Sequence, residues 1–195
     1  MRRLAGVDEV GRGCLAGPVV VAAVALPFGL EIEGVDDSKR LSAAARQRAF
    51  DRILGSCLAW SATAVSAAEV DERNVLAASL VGMERAVRRL KLPLDLILVD
   101  GNRLPEDLPV SAVPVIKGDG KSLCVAAASI VAKVLRDRIM QFWDRRYPGY
   151  GFDHNVGYPT AEHQRALLAK GPCPLHRRSF APVRAALARQ LQLAG

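Results

Sequence analysis

Cysteine is scarce and scattered in this sequence. Its 195 residues hold four cysteines, Cys14, Cys57, Cys124 and Cys173, and only three histidines. No Cys-x-x-Cys pair and no Cys/His cluster occurs, which argues against a structural zinc site. No signal peptide is evident, so these thiols read as buried, reduced cysteines of the cytoplasm. Long hydrophobic runs are missing as well. The longest, PVVVAAVALPFGL, is too short and too broken to span a membrane. Internal repeats, low-complexity segments and long linkers are also absent. Disorder is excluded by the hydrophobic content of 50% with interspersed charge. One compact domain with a sizeable core is expected.

What is present in excess is positive charge. The formal net charge is +7 and the sequence pI is about 9.6. A basic chain suits an acidic partner, nucleic acid being the commonest. Many soluble proteins are basic without one, so charge by itself does not decide.

The hydrophobic pattern predicts five strands. RLAGVDEV and PVVVAAVAL are joined by a Gly-rich turn, CLAWSATAVS alternates, and LDLILVDG and VPVIKGDG are short apolar runs. Helical spacing runs through SAAARQRAFDRIL, with Ser42 as N-cap, and through NVLAASLVGMERAVRRL. A long helix follows in KSLCVAAASIVAKVLRDRIMQFWDRRY, and TAEHQRALLAK and FAPVRAALARQLQ complete a helical C-terminal part. Strands first, then alternation, then helices, predicts an α/β domain with a mixed sheet.

Three strand-like segments carry carboxylates at or near their C-terminal ends: Asp8 with Glu9, Asp100, and Asp119. Sites in open α/β sheets gather outside strand C-termini, so these acids are candidates to converge. Hard divalent cations take oxygen ligands, and grouped acids repel one another unless a cation sits among them. Two metals about 3.5–4 Å apart would activate water and stabilise the leaving oxygen of a phosphodiester. Asp8 and Glu9 are neighbours, so on a strand they face opposite ways; Asp8 is assigned the inward position. Each acid has a plainer reading. Asp100 lies in an Asp-Gly turn signature, and Asp119 is placed to cap the next helix. Asp137 competes for the site. It lies ~27 Å from Asp119 along a continuous helix at 1.5 Å per residue, so Asp119 is preferred and Asp137 is read as a partner of Arg136 or Arg138.

GVDEVGRGCLAGPVVVAAV closely resembles the signature of the type 2 ribonucleases H. The resemblance continues through DDSKRLS, NVLAASLVGMERA, LVDGN, KGDGKS, AAASIVAKVLRDR, GYPTAEH and PLHRRSFAPVR. It implies a ribonuclease H-like fold with a central five-stranded mixed sheet, and a small helical C-terminal region. It implies a catalytic domain over residues 1–145 and a helical region over 146–195 that completes the substrate site. The implied activity is endonucleolytic cleavage of RNA in RNA–DNA hybrids. Incision 5′ of single ribonucleotides in duplex DNA is implied too, leaving 3′-hydroxyl and 5′-phosphate ends. The implied cofactor is Mg²⁺ or Mn²⁺, held by Asp8, Glu9, Asp100 and Asp119. Gly11, Arg12 and Gly13 match the loop that contacts the ribonucleotide 2′-hydroxyl, and Tyr158 matches a tyrosine that stacks on the next sugar. The implied partner is the nucleic acid. A monomer without an obligate protein partner is expected, with no clamp-binding peptide in RQLQLAG.

Lys39 and Lys121 are phosphate contacts or solvated lysines. His163 and His176 are structural or phosphate-binding, and Arg177 and Arg178 are expected on a basic face. The sequence departs from the family where HKGY is usual: it reads NVGY, with Asn155 and Val156 in place of histidine and lysine. One basic contact to the nucleic-acid backbone is therefore expected to be missing. A non-catalytic binding module of the same fold predicts a lost acid, and none is lost. A type 3 ribonuclease H predicts an added N-terminal domain, for which a first acid at position 8 leaves no room.

Overall fold

The computed structural model describes residues 3–35 and 41–194. The chain runs β1 (Leu4–Val10), β2 (Val19–Leu26), α1 (Ala43–Ser56), β3 (Ala59–Val65), α2 (Ala67–Arg73) and α3 (Val75–Arg89). It continues through β4 (Leu96–Asp100), β5 (Ala112–Val115), a 3₁₀ turn at Gly118–Gly120, and α4 (Leu123–Arg146). Three helices follow: α5 (Phe152–Asn155), α6 (Ala161–Lys170) and α7 (Ala181–Ala194). The five strands form one sheet in the order β3-β2-β1-β4-β5. β1 pairs antiparallel with β2 and parallel with β4, which is parallel to β5. The sheet is therefore mixed, as the patterning predicts.

Contacts group the chain into two compact units. One is Met1–Val10, Val20–Ala64 and Ser79–Leu135; the other is Gly11–Val19, Val65–Ala78 and Arg136–Gly195. All eight residues of β2 are buried, the seven from Val20 on lying in the first unit, which requires cover on both sheet faces. Helix α3 presents Ser79, Met83, Ala86 and Val87 at helical spacing, all buried, and Leu90 just past its end is buried too. Ser61 and Thr63 of β3 donate side-chain hydrogen bonds to the carbonyls of Ala86 and Gly82 on that helix. Helix α4 is apolar almost all round at its start, with Val125, Ala127, Ala128, Ile130, Val131 and Ala132 fully buried. Its first turn lies directly on β1. A Cβ on Gly6 would collide with the backbone of Cys124 and Val125.

In the second unit, Ala16, Met140, Tyr150, Phe152 and Val156 form one apolar cluster. Leu15, Leu167, Val183 and Ala186 form another. Ser66 and Glu69 form a capping box on α2, and Thr160 caps α6. The segment before α7 is held from elsewhere in the chain. Asp71 accepts the backbone N–H groups of Arg178 and Ser179 at 2.8 and 2.9 Å.

Candidate active site

Asp8 lies within β1, two residues from its end, and is 6% exposed. Its Oδ1 accepts the backbone N–H of Glu9 at 2.7 Å. Burial first, then the neighbouring Glu9 charge, pushes the Asp8 carboxyl well above the usual carboxylate range; Asp100 adds to the rise and a hydrogen bond from Ser129 opposes it. Asp8, Glu9 and Asp100 are thus within electrostatic reach of one another. Asp100 ends β4, and its Oδ1 accepts the N–H of Gly118 at 2.7 Å. That bond ties the β4 end to the 3₁₀ turn that carries Asp119, whose own Oδ1 accepts the Gly120 N–H at 3.1 Å. The turn is tight: Lys117 enters it at φ +56°, and a Cβ on Gly118 would press on Asp100, Val115 and Val125.

The turn readings of Asp100 and Asp119 thus hold in part, since both carboxylates accept backbone N–H groups of this turn. Asp119 lies inside the turn, where it accepts the N–H of the next residue, Gly120. Glu9 is half-buried, and its Oε2 is buried without a hydrogen bond among the described residues. Among the described residues, no three Asp, Glu, His or Cys side chains stand close enough to hold an ion as placed. Like charges gain by keeping apart, so tight clustering of acids alone is unfavourable. Lys121 is exposed just after the turn, and Lys39 lies outside the described residues.

Ser129 is a residue that the sequence patterning did not single out. It is 7% exposed on the apolar part of α4 and hydrogen-bonds Asp8. The available signal was a lone hydroxyl in the run AAASIVA. For the metal-binding role that the sequence leads one to expect of Asp8, Ser129→Ala is expected to cost about 10–100-fold in activity, the usual scale for a residue that supports such a group, with little change in melting temperature. Steady-state rates at saturating metal and a metal titration will measure it.

In the second unit, Gly11 and Gly13 flank an exposed Arg12, and Tyr158 is 38% exposed. Arg136 lies 5.9 Å from the Tyr158 ring centroid, and burial raises the tyrosine hydroxyl pKa. Arg177 is not on a basic face. It is fully buried and donates to the carbonyls of Gly11, Arg12 and Gly17, whereas Arg178 is exposed. A guanidinium carries five donors in a fork, and here main-chain oxygens converge to receive them. Arg136, expected beside Asp137, is also fully buried, and its guanidinium donates to the carbonyls of Pro18, Val156 and Ala16.

A family model described as ribonuclease HII matches residues 5–183. The chain belongs to the ribonuclease HII family. It is accordingly an endoribonuclease, a hydrolase of the ribonuclease H class. Among its relatives, the ribonuclease HII of Maricaulis maris is 52% identical over 186 residues, covering 95% of this chain and 84% of the relative. The ribonuclease HII of Nitrosococcus oceani is 52% identical over 184 residues, 94% of this chain and 90% of the relative. Ribonuclease H2 from Pyrococcus horikoshii superposes with a TM-score of 0.81 at 27% identity, covering 96% of this chain and 98% of that one. The ribonuclease HII of Archaeoglobus fulgidus, solved as a complex with PCNA, gives a TM-score of 0.74 at 29% identity over 91% of this chain and 94% of that one. The α/β fold is thus the ribonuclease H-like fold expected for ribonuclease HII.

Two of the three histidines of this ribonuclease HII chain, His163 and His176, are buried and bonded to one another. His163 Nδ1 lies 2.8 Å from the Tyr158 carbonyl, so it donates, and Nε2 is left as an acceptor. His176 Nδ1 accepts the Cys173 N–H at 3.0 Å, so its Nε2–H donates to His163 Nε2 at 3.1 Å. Both rings are neutral in this arrangement, and burial lowers both pKa values, that of His176 from 6.5 to about 4. A lowered histidine pKa favours the fold above pH 6.5 and costs stability as pH falls toward 4. The span corresponds to about 3 kcal/mol for His176. Urea unfolding between pH 7 and 4 is expected to show this loss, and His176→Gln to show a shallower one. An equal slope in both would refute it.

The NVGY segment also serves the fold. Asn155 is buried, donates to the Tyr150 carbonyl at 2.6 Å and accepts the Gly157 N–H at 2.7 Å. Val156 sits at φ +43°, a conformation that costs a β-branched residue about 1–3 kcal/mol. Its carbonyl is gripped by Arg136 at 2.7 Å.

Proposed function

We propose that this chain nicks duplex DNA on the 5′ side of a single embedded ribonucleotide and cleaves the RNA strand of RNA–DNA hybrids, leaving 3′-hydroxyl and 5′-phosphate ends. The observation that carries the reading is the linked set of carboxylates: Asp8 feels Glu9 and Asp100, and Asp100 is bonded to the turn that bears Asp119.

The chemistry of these donors, rather than their spacing as placed, suits Mg²⁺ or Mn²⁺. The donors are all carboxylate oxygens, and Asp8 is driven toward protonation by its surroundings, a cost that a cation beside it offsets. Asp8, Glu9, Asp100 and Asp119 would hold the ions, which when bound supply an acidified water and stabilise the leaving oxygen. The Glu9 N–H and Ser129 hold Asp8 in place, and the Gly118 N–H fixes Asp100. Gly11, Arg12 and Gly13 read the 2′-hydroxyl, since glycines admit close approach and backbone groups both donate and accept. The half-exposed Tyr158 ring stacks on the following sugar, and Lys121 contacts phosphate. Lys39 is assigned the same role on resemblance alone. The protein acts as a monomer in the cytoplasm, without an obligate partner. No helix among the described residues is long and apolar enough to cross a membrane.

A labelled duplex with one ribonucleotide, offered with Mg²⁺, is expected to give a single nick 5′ of the ribose. The all-DNA duplex stays intact and EDTA stops the reaction. A purified, folded protein that leaves the ribonucleotide duplex uncut would sink this function.

A further inference from the structure

Two fully buried arginines sit behind the Gly11–Pro18 segment, and neither belongs to the catalytic carboxylates. Arg177 donates from Nη2 to Gly11 O at 2.7 Å, from Nη1 to Arg12 O at 2.8 Å, and from Nε and Nη2 to Gly17 O at 3.2 and 2.9 Å. Arg136 donates to Ala16 O at 3.1 Å, Pro18 O at 3.0 Å and Val156 O at 2.7 Å. Burying a guanidinium is costly, and these bonds recover that cost only in one loop conformation.

A planar trans peptide sets its N–H opposite its C=O. With the carbonyls of Gly11 and Arg12 turned in to Arg177, the N–H groups of Arg12 and Gly13 point away from it. The two glycines then differ in what the fold asks of them. Gly11 has φ +94°, and a Cβ there would strike the Arg136 guanidinium. At Gly13 no atom lies within 4 Å of a Cβ position, and φ is not positive. The fold makes no demand for glycine at 13, whereas a partner that must approach the backbone does. Arg177 has its pKa lowered to about 10 and stays charged at neutral pH, so it also places a positive charge behind this surface.

We infer that Arg177 and Arg136 are positioning residues that hold the Gly11–Pro18 segment carbonyl-inward, turning the N–H groups of Arg12 and Gly13 toward the nucleic acid and so setting selectivity for a ribonucleotide. This rests on the function proposed above, and it assigns the selectivity of the exposed Arg12 and Gly13 to two side chains that never meet the substrate. Lysine cannot replace either arginine, because one ammonium cannot span several carbonyls in a plane.

Arg177→Lys and Arg136→Lys test it separately, so failure of one to fold leaves the other. Amide hydrogen exchange at Leu15 and Gly17, which donate to Gly157 and Leu175, is expected to quicken by at least about tenfold. Binding in EDTA to two duplexes, identical except for one 2′-hydroxyl, gives the second readout. The ribonucleotide preference is expected to fall by at least about tenfold, with affinity for the all-DNA duplex changed less than about threefold. Unchanged exchange, an unchanged preference, or an equal loss of both affinities in a folded variant overturns the inference. A wild type without any ribonucleotide preference overturns the functional reading instead, and the exchange data still decide whether the arginines hold the loop.

Discussion

Asp100→Asn will lower nicking of a single-ribonucleotide duplex by at least about 10³-fold at saturating Mg²⁺, the scale on which loss of a group that acts as part of a unit is felt. The asparagine keeps an oxygen to accept the Gly118 N–H, which Asp100 takes at 2.7 Å. The turn bearing Asp119 therefore persists, and the loss falls on charge and metal affinity rather than on folding. Circular dichroism and thermal melting should match wild type within a few degrees. A variant with more than about a tenth of wild-type rate removes Asp100 from the site. Asp8→Asn sharpens the same point with the opposite stability effect. The Asp8 pKa is raised in the fold, so the ionised carboxylate opposes folding once pH passes the ordinary carboxylate range. In EDTA at pH 7 this variant is expected to melt higher than wild type while being nearly inactive. A lower melting temperature would show that the charge is better solvated than its burial indicates.

Gly6→Ala carries the largest expected loss of stability. Its Cβ would enter the backbone of Cys124 and Val125 at the start of α4, where no side chain can swing aside. The helix must lift off β1 and uncover residues such as Val125 and Ala127, both fully buried. A cost of about 3 kcal/mol or more follows, lowering the melting temperature by about 6–12 °C. Gly13→Ala provides the contrast, since nothing lies within 4 Å and the backbone is not in the left-handed region. Its melting temperature should hold or rise slightly. Equal melting of the two variants would mean that α4 does not bear on β1 at Gly6.

The strands and long helices were legible because each buries a whole face, and a buried face leaves a period in the sequence. β2 reads as a continuous apolar run because both of its sides are covered, and α3 shows helical spacing because one side is. Two short helices, α2 and α5, escaped that reading. Seven and four residues are too few to display a period, although Ser66 and Glu69 spelled out the capping box of α2. Asp8 and Asp100 were legible for a related reason: each lies at the end of an apolar run, so its place near or at a strand end comes from the run itself, whereas Asp119 lies in the 3₁₀ turn beyond β5.

Arg177 was not legible. In PLHRRSF it looks like its exposed neighbour Arg178. It is internal because carbonyls of Gly11, Arg12 and Gly17, some 160 positions away in sequence, converge on it. Ser129 is a comparable case, a hydroxyl that counts because a buried carboxylate on another element faces it. The type and order of the strands and long helices, the acids near the ends of β1 and β4 and the family follow from the order of residues alone, since periodicity and motif spacing are properties of neighbouring positions. Which charges are buried, which glycines the backbone requires and which side chains hold the loop were decided only by the tertiary structure. Desolvation and hydrogen bonding depend on what lies close in space, and here the decisive partners lie far apart along the chain.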